Sequence, residues 1–230
     1  MHTLEESHFY SILDTAYVPR SKWIPTYRAL IDGGADLVQI RAKNAPHEER
    51  IQLLECLLPD FALSGKPLII NDDIEAAGCY PGMNLGLHLG QEDTSPEDAR
   101  ERLGPSPIIG LSTHSEAQAR QAIRLAEEKI INYFAVGPLF QTPTKPDYQP
   151  VGLELAQKVQ SWNPPVPFFV IGGITRETLP LVAQAGLKRI VVVSEVLKAN
   201  SPQSIIQEMK TSLPLPLTDS PQPRNPPFSH

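Results

Sequence analysis

The residues able to do chemistry in this 230-residue chain fall in short polar bursts, each directly after an apolar run. One burst is Gln39-Ile40-Arg41-Ala42-Lys43, where strand alternation sets Gln39, Arg41 and Lys43 on one face. Two cations at that spacing can clamp an anion such as a diphosphate, and the same pattern also suits a solvated rim. Asn71-Asp72 and Gln91-Glu92-Asp93 close two later apolar runs. On adjacent strands, roughly 4.8 Å apart, Asp72 and Asp93 could share one hard cation. Mg2+ is the natural candidate, since it takes one or two carboxylates plus substrate phosphates. The alternative is that each aspartate merely caps the helix after it, an ordinary place for that residue.

Leu85-Gly86-Leu87-His88-Leu89-Gly90 puts three leucines on one strand face and His88 between two glycines on the other. That second face suits a crowded interior with a site at its mouth. His88 is then either a site residue or a hydrogen-bonded core histidine. In Ser112-Thr113-His114-Ser115, Ser115 reads as a helix N-cap, Ser112 as the better site residue, and His114 as ambiguous. Gln141-Thr142-Pro143-Thr144-Lys145 carries two hydroxyls and a lysine in a long loop, the makings of a lid over phosphate or of a plain surface loop. Ile171-Gly172-Gly173-Ile174-Thr175 and Val193-Ser194 follow two late apolar runs. Backbone amides there, near helix starts, suit a phosphate monoester. The tally is two anion sites, one cationic with a carboxylate-held metal and one built of amides.

Positioning these groups takes a repeated strand-helix unit. Apolar strands are expected at Phe9–Leu13, Asp36–Arg41, Pro67–Ile70, Leu85–Gly90, Ile108–Leu111, Ile130–Val136, Phe168–Ile171 and Ile190–Val193. Between them, helical spacing marks Ser21–Gly33, Pro46–Leu63, a short turn through Ala77, Pro96–Gly104, Ser115–Leu125 and Leu153–Trp162. A further helix is capped by Thr175 and reaches Ala185, and a last one starts near Ser201-Pro202. Strands this apolar are buried on both faces, so the sheet is parallel. Eight such units predict a (β/α)8 TIM barrel, in which strand C-termini converge on one face. The doubly wound rival would carry fewer units and a Gly-rich first turn, absent here. Residues 1–212 are read as one catalytic domain and 213–230, crowded with prolines, as a disordered tail.

Composition narrows the function. A net charge of -6 and a pI near 5.5 argue against a nucleic-acid surface but not against a local phosphate site. Cys56 and Cys79 have no metal or disulfide spacing and are expected as buried thiols. Acids where a signal peptide needs cations, and no apolar run of membrane length, lead to the expectation of a soluble, cytoplasmic protein.

From about Phe9 to Lys198 these motifs together resemble the thiamine phosphate synthase family, whose superfamily includes thiazole tautomerases. The matching pieces are Gln39–Lys43, Ile70-Asn71-Asp72, Leu87–Asp93, Gly110-Leu111-Ser112, Gly137-Pro138 with Thr142–Lys145, Ile171–Ile174 and Val192-Val193-Ser194. The resemblance implies a transferase of thiamine biosynthesis that joins hydroxymethylpyrimidine diphosphate to thiazole phosphate, releasing diphosphate. It implies Arg41, Lys43, Asn71 and Lys145 on the diphosphate, and Asp72 and Asp93 on Mg2+. Gln39, His88 and Ser112 would face the pyrimidine, and Thr142, Thr144, Gly173, Val193 and Ser194 the thiazole phosphate. Arg41, Ser112 and Lys145 are the implied catalytic residues, acting as diphosphate leaves ahead of attack by the thiazole nitrogen. The implied partners are these two small molecules, with a homo-oligomer possible. The chain departs from the family pattern at Ala42, at Glu128–Tyr133 and at Tyr80–Asn84. Two alternatives stand beside the synthase: a tautomerase using His114 as its acid-base group, and a non-catalytic relative that binds thiamine phosphate.

Overall fold

Eight short runs of Val, Ile, Leu and Phe become eight strands because each can bury both faces, inward on the barrel and outward on helices. The computed structural model describes residues 3–83, 85–142 and 149–213; Thr144, Lys145 and the proline-rich stretch from 214 lie outside them. The strands are β1 (Phe9–Asp14), β2 (Leu37–Arg41), β3 (Leu68–Asn71), β4 (Gly86–Leu89), β5 (Ile109–Thr113), β6 (Tyr133–Val136), β7 (Phe168–Ile171) and β8 (Ile190–Val192). Each pairs in parallel with the next, and β8 closes on β1. Around them lie α1 (Trp23–Asp32), α2 (His47–Ser64), α3 (Ile74–Gly78), α4 (Pro96–Leu103), α5 (Glu116–Glu127), α6 (Gly152–Ser161), α7 (Leu179–Gln184), α8 (Ser194–Leu197) and α9 (Pro202–Thr211). The expected barrel is the observed one.

Alternation splits the core in two. Leu13, Val38, Ile40, Leu87, Phe134, Val170 and Val192 point outward and pack on the helices. Tyr10, Leu37, Ile69, Tyr133, Phe169 and Val191 fill the barrel itself. The register turns this into a gradient along the axis. Tyr10 pairs with Leu37 near one end, Ile12 with Gln39 in the middle, and Asp14 with Arg41 at the C-terminal mouth. Room for the largest inward side chain comes from an absence: a Cβ on Gly110 would fall inside the ring of Tyr133, its register partner.

Several local expectations change. Cys56 and Cys79 are exposed, not buried. The buried side of α2 is Leu53, Leu54, Leu57 and Phe61, which leaves Cys56 on the opposite side. Thr175 is not the cap of α7; that helix starts four residues later, and the Thr178 hydroxyl receives the Thr175 amide at 2.9 Å. Val193 ends no strand but sits at the N-terminus of the unforeseen α8. β6 begins at Tyr133 and not at Ile130. Leu213, the first residue of the stretch read as tail, is buried in the outer core. Among the described residues, no helix is long and apolar enough to cross a membrane.

Helix α9 is tied to the far end of the barrel by Asp36. Its carboxylate accepts the amides of His8 (2.9 Å) and Phe9 (2.8 Å) and the Lys210 ammonium (3.0 Å). Burial pushes this carboxyl up, but those donors outweigh burial and hold it below its ordinary value of 3.8. Its stabilisation is therefore complete above the ordinary carboxyl range and disappears as pH falls through the depressed native value. Asp36→Asn is expected to cost about 1–3 kcal/mol at neutral pH, the scale for charged hydrogen bonds. Urea unfolding at neutral and acid pH checks it, with the gap between variant and parent closing in acid.

Candidate active site

At the C-terminal mouth of the barrel a cavity open to solvent is lined by the ends of the strands. Gln39, Arg41, Lys43, Asn71, Asp72, His88, Asp93, Ser112, Thr142, Gly173, Val193 and Ser194 all line it. Sequence distances of more than 150 residues collapse here because every strand ends at the same rim. Thr144 and Lys145 belong to the segment that is not described.

The rim over β2, β3 and β4 carries the charge. Arg41 Nη1 meets Asp14 Oδ2 at 2.5 Å, and Asp14 is 1% exposed. Asp14 also accepts the Ala16 amide at 2.9 Å, so it is a fixed anchor for the guanidinium. Lys43 Nζ sits 2.9 Å from Asp72 Oδ2. That hydrogen bond raises the lysine pKa, against partial burial, with Asp93 adding to the effect. The Asp93 carboxyl is pushed up chiefly by burial and then by its hydrogen-bonded neighbour Asp72, while the Gly90 amide opposes the rise. Two carboxylates thus lean on each other beside one ammonium.

Neither carboxylate caps the next helix. Asp73 caps α3 by accepting the Ala76 amide at 2.9 Å, and Ser95 caps α4 by accepting the Asp98 amide. Asp93 turns back instead and accepts the Gly90 amide at 2.7 Å. Asp72 stands in the left-handed region with φ 63°, a conformation Asp tolerates better than most residues, as the chain leaves β3. Among the described residues no cluster of three or more His, Cys, Asp or Glu forms a metal cage. Two carboxylates from adjacent strands still fit Mg2+, a hard cation that keeps waters and takes its remaining ligands from substrate phosphate.

Below the rim, His88 Nε2 lies 2.9 Å from Ser112 Oγ and His88 Nδ1 2.9 Å from the Tyr133 hydroxyl. Gln39 Nε2 donates to the Tyr10 hydroxyl at 2.7 Å, and Gln39 Oε1 is buried with no partner among the described residues. His114 also lines the cavity; its Nδ1 meets the Gly137 carbonyl at 2.5 Å, which ties the ends of β5 and β6. Because a carbonyl only accepts, that nitrogen carries the proton.

Opposite the charged rim, four strands round the ring, β7 and β8 end in Gly172-Gly173 and Val193-Ser194. Gly173 has φ 65°, and a Cβ there would press on Phe140 and the Gln141 carbonyl at 2.7 Å. Its value is therefore the close seating of the segment that leads to Thr142. Thr178 Oγ1 donates to the Gly173 carbonyl at 2.8 Å and pins the turn. Asp14 and Thr178 are the neighbours of the candidate site residues that residue patterns missed. Asp14 had a signal, since it ends β1 as the other polar groups end their strands.

A family profile described as thiamine monophosphate synthase matches residues 9–196. Thiamine-phosphate synthase of Mycobacterium sp. (strain KMS) is 40% identical over 194 residues, 80% of this chain and 83% of that one. The thiamine-phosphate synthase of Saccharopolyspora erythraea is 36% identical over 216 residues, 91% and 94% of the two chains. Among solved structures, thiamine phosphate pyrophosphorylase from Pyrococcus furiosus superposes with a TM-score of 0.76 at 28% identity, covering 89% of this chain and 94% of that chain.

Proposed function

This chain belongs to the thiamine monophosphate synthase family and is a transferase that makes thiamine phosphate, and from that premise we propose how its pocket divides the work. The observation that carries the reading is the meeting of Arg41, Lys43, Asp72 and Asp93 on one rim with the Gly173 and Ser194 turns across the mouth. The charged rim takes the diphosphate of hydroxymethylpyrimidine diphosphate, with Asn71 and Lys145 as its further ligands. Asp72 and Asp93 would hold Mg2+, which would supply charge neutralisation at the diphosphate. A tautomerase handling only a monophosphate would have no use for this rim.

Gln39, His88 and Ser112 bind and orient the pyrimidine on the floor. Arg41, anchored by Asp14, and Lys43 stabilise charge as the carbon–oxygen bond to diphosphate breaks. Thr142, Thr144, Gly173, Val193 and Ser194 hold the phosphate of the thiazole so that its ring nitrogen faces the methylene carbon. The nitrogen then attacks that carbon, and the enclosed floor keeps competing water away. Ser112, on the floor next to the reacting group, donates to the substrate through its hydroxyl.

The direct test is a coupling assay with both substrates and Mg2+, in which thiamine phosphate and diphosphate appear in equal amounts. Absence of product with folded protein overturns the reading. Ser194→Ala tests the second anion site. It removes one hydroxyl and leaves the amides, so the KM for thiazole phosphate is expected to rise about 2- to 10-fold, near the energy of one hydrogen bond. A rise confined to the diphosphate substrate would mean the two sites are exchanged.

A further inference from the structure

Beneath the cavity floor runs a continuous chain of hydrogen bonds that the reaction itself does not call for. It goes from Gln39 Nε2 to the Tyr10 hydroxyl (2.7 Å), to the Tyr133 hydroxyl (3.0 Å), to His88 Nδ1 (2.9 Å), and from His88 Nε2 to Ser112 Oγ (2.9 Å). Its ends line the cavity, whereas Tyr10 and Tyr133 are not among the lining residues and are 1% and 0% exposed. Both phenols are locked: their rings meet edge to face at 5.9 Å, Phe169 packs edge-on to each, and His88 stacks on Tyr133 at 5.6 Å. Burial drives both phenol pKa values upward, so each keeps its single hydrogen.

Counting hydrogens gives the chain a direction. Gln39 Nε2 can only donate, so Tyr10 accepts from it and passes its own hydrogen to Tyr133. Tyr133 then gives its hydrogen to His88 Nδ1. A neutral imidazole that accepts at Nδ1 carries its proton on Nε2, which donates to Ser112 Oγ. The Ser112 hydrogen is left to point into the cavity, while Gln39 Oε1 is left as a buried acceptor without a partner among the described residues. Turning the Gln39 amide over would reverse every bond in the chain together. The two ends of the floor are therefore coupled in opposite senses: one accepts whenever the other donates.

We infer that Tyr10 and Tyr133 are positioning residues that set the specificity of the floor, by holding Gln39 as acceptor and Ser112 as donor for a ring carrying an N–H on one edge and a bare ring nitrogen on another. An aminopyrimidine has that pattern, and an oxo analogue, with a carbonyl and a ring N–H, has it reversed. The inference rests on the reading that the pyrimidine lies on this floor.

The test combines a measurement without substrate and one with it. Nitrogen-15 NMR of labelled histidine, with His88 assigned by loss of its signals in His88→Asn, is expected to report the Nε2–H form in the free enzyme. In Tyr133→Phe the hydrogen bond at Nδ1 is expected to vanish from the spectrum. Tyr133→Phe and Tyr10→Phe should each raise the KM for the pyrimidine diphosphate about 5- to 20-fold, as one or two hydrogen bonds would. The KM for thiazole phosphate should stay within about twofold. Preference for the amino substrate over its oxo analogue should drop by roughly tenfold in both variants. If Tyr133→Phe does not fold, Tyr10→Phe carries the kinetic arm alone. An Nδ1–H histidine in the parent, or unchanged KM and preference in the folded variants, overturns the inference. An Nε2–H histidine with a KM rise confined to thiazole phosphate upholds the chain and overturns instead the placement of the pyrimidine.

Discussion

Asp93→Asn is expected to lower turnover at least about 10²-fold while the protein keeps or gains thermal stability, the scale of loss for a preorganised charge stabiliser. The amide keeps the shape of the side chain, and its oxygen can still accept the Gly90 amide. What disappears is one negative charge from a pair already under strain. The Asp93 carboxyl is raised by burial and by Asp72, so at neutral pH its charged form opposes folding. A native value above the unfolded one gives stability below the unfolded pKa and loses it as pH rises, so a neutral amide removes that penalty. After the change, Asp72 is left with the Lys43 ammonium at 2.9 Å as its closest charge partner. A divalent ion must then compete with that ion pair for a single carboxylate. The variant should need far more Mg2+ for half-maximal turnover, and EDTA should silence the parent. Full parental turnover in EDTA would remove the metal from this site. A collapse in melting temperature would show that Asp93 is held for structure and not for chemistry.

The barrel was legible because its evidence is local: each strand is an apolar run, each helix has a periodic face, and eight repeats admit few architectures. The site was legible for a related reason, since polar residues directly after buried strands must gather at one mouth. Contacts between strands were less so. Asp14 and Arg41 are far apart in sequence and meet only because β1 and β2 pair in the register Asp14↔Arg41. Tyr133 looked like one more apolar residue of β6, and its role as the centre of a polar chain depends on a missing side chain at Gly110 across the ladder. The cap of α7 differs from the expected Thr175 because two polar residues compete, and the later one, Thr178, accepts the Thr175 amide and pins the turn. Helix α8 is four residues long, too short to leave a periodic trace. Cys56 is exposed because a thiol within a helix follows the phase of that helix and not its average habit, and Cys79 is exposed as the residue that ends α3.

Arg41 and Asp14 allow charge burial to be separated from chemistry. Asp14 is 1% exposed, and Arg41 is its charge partner at 2.5 Å. Arg41→Gln leaves that carboxylate buried beside a neutral group, which should cost about 2–4 kcal/mol, toward the lower end of buried ion-pair breakage because the Ala16 amide still donates to it. Turnover should fall by about 10²- to 10³-fold as the diphosphate loses a fixed guanidinium. Those two losses have different causes, and the double variant Asp14→Asn/Arg41→Gln tells them apart. An amide pair can hydrogen-bond across the same ladder without a charge in either half, so most of the lost stability should return. Turnover should not return, since nothing in the repaired pair carries positive charge to the leaving group. Asp14→Asn alone should sit between: the guanidinium remains but loses its anchor, so the KM for the pyrimidine diphosphate rises more than kcat falls. Denaturant unfolding and steady-state kinetics on the three variants give both quantities. If the double variant recovers turnover along with stability, Arg41 serves only to neutralise Asp14, and the diphosphate is held by Lys43 and Lys145 instead.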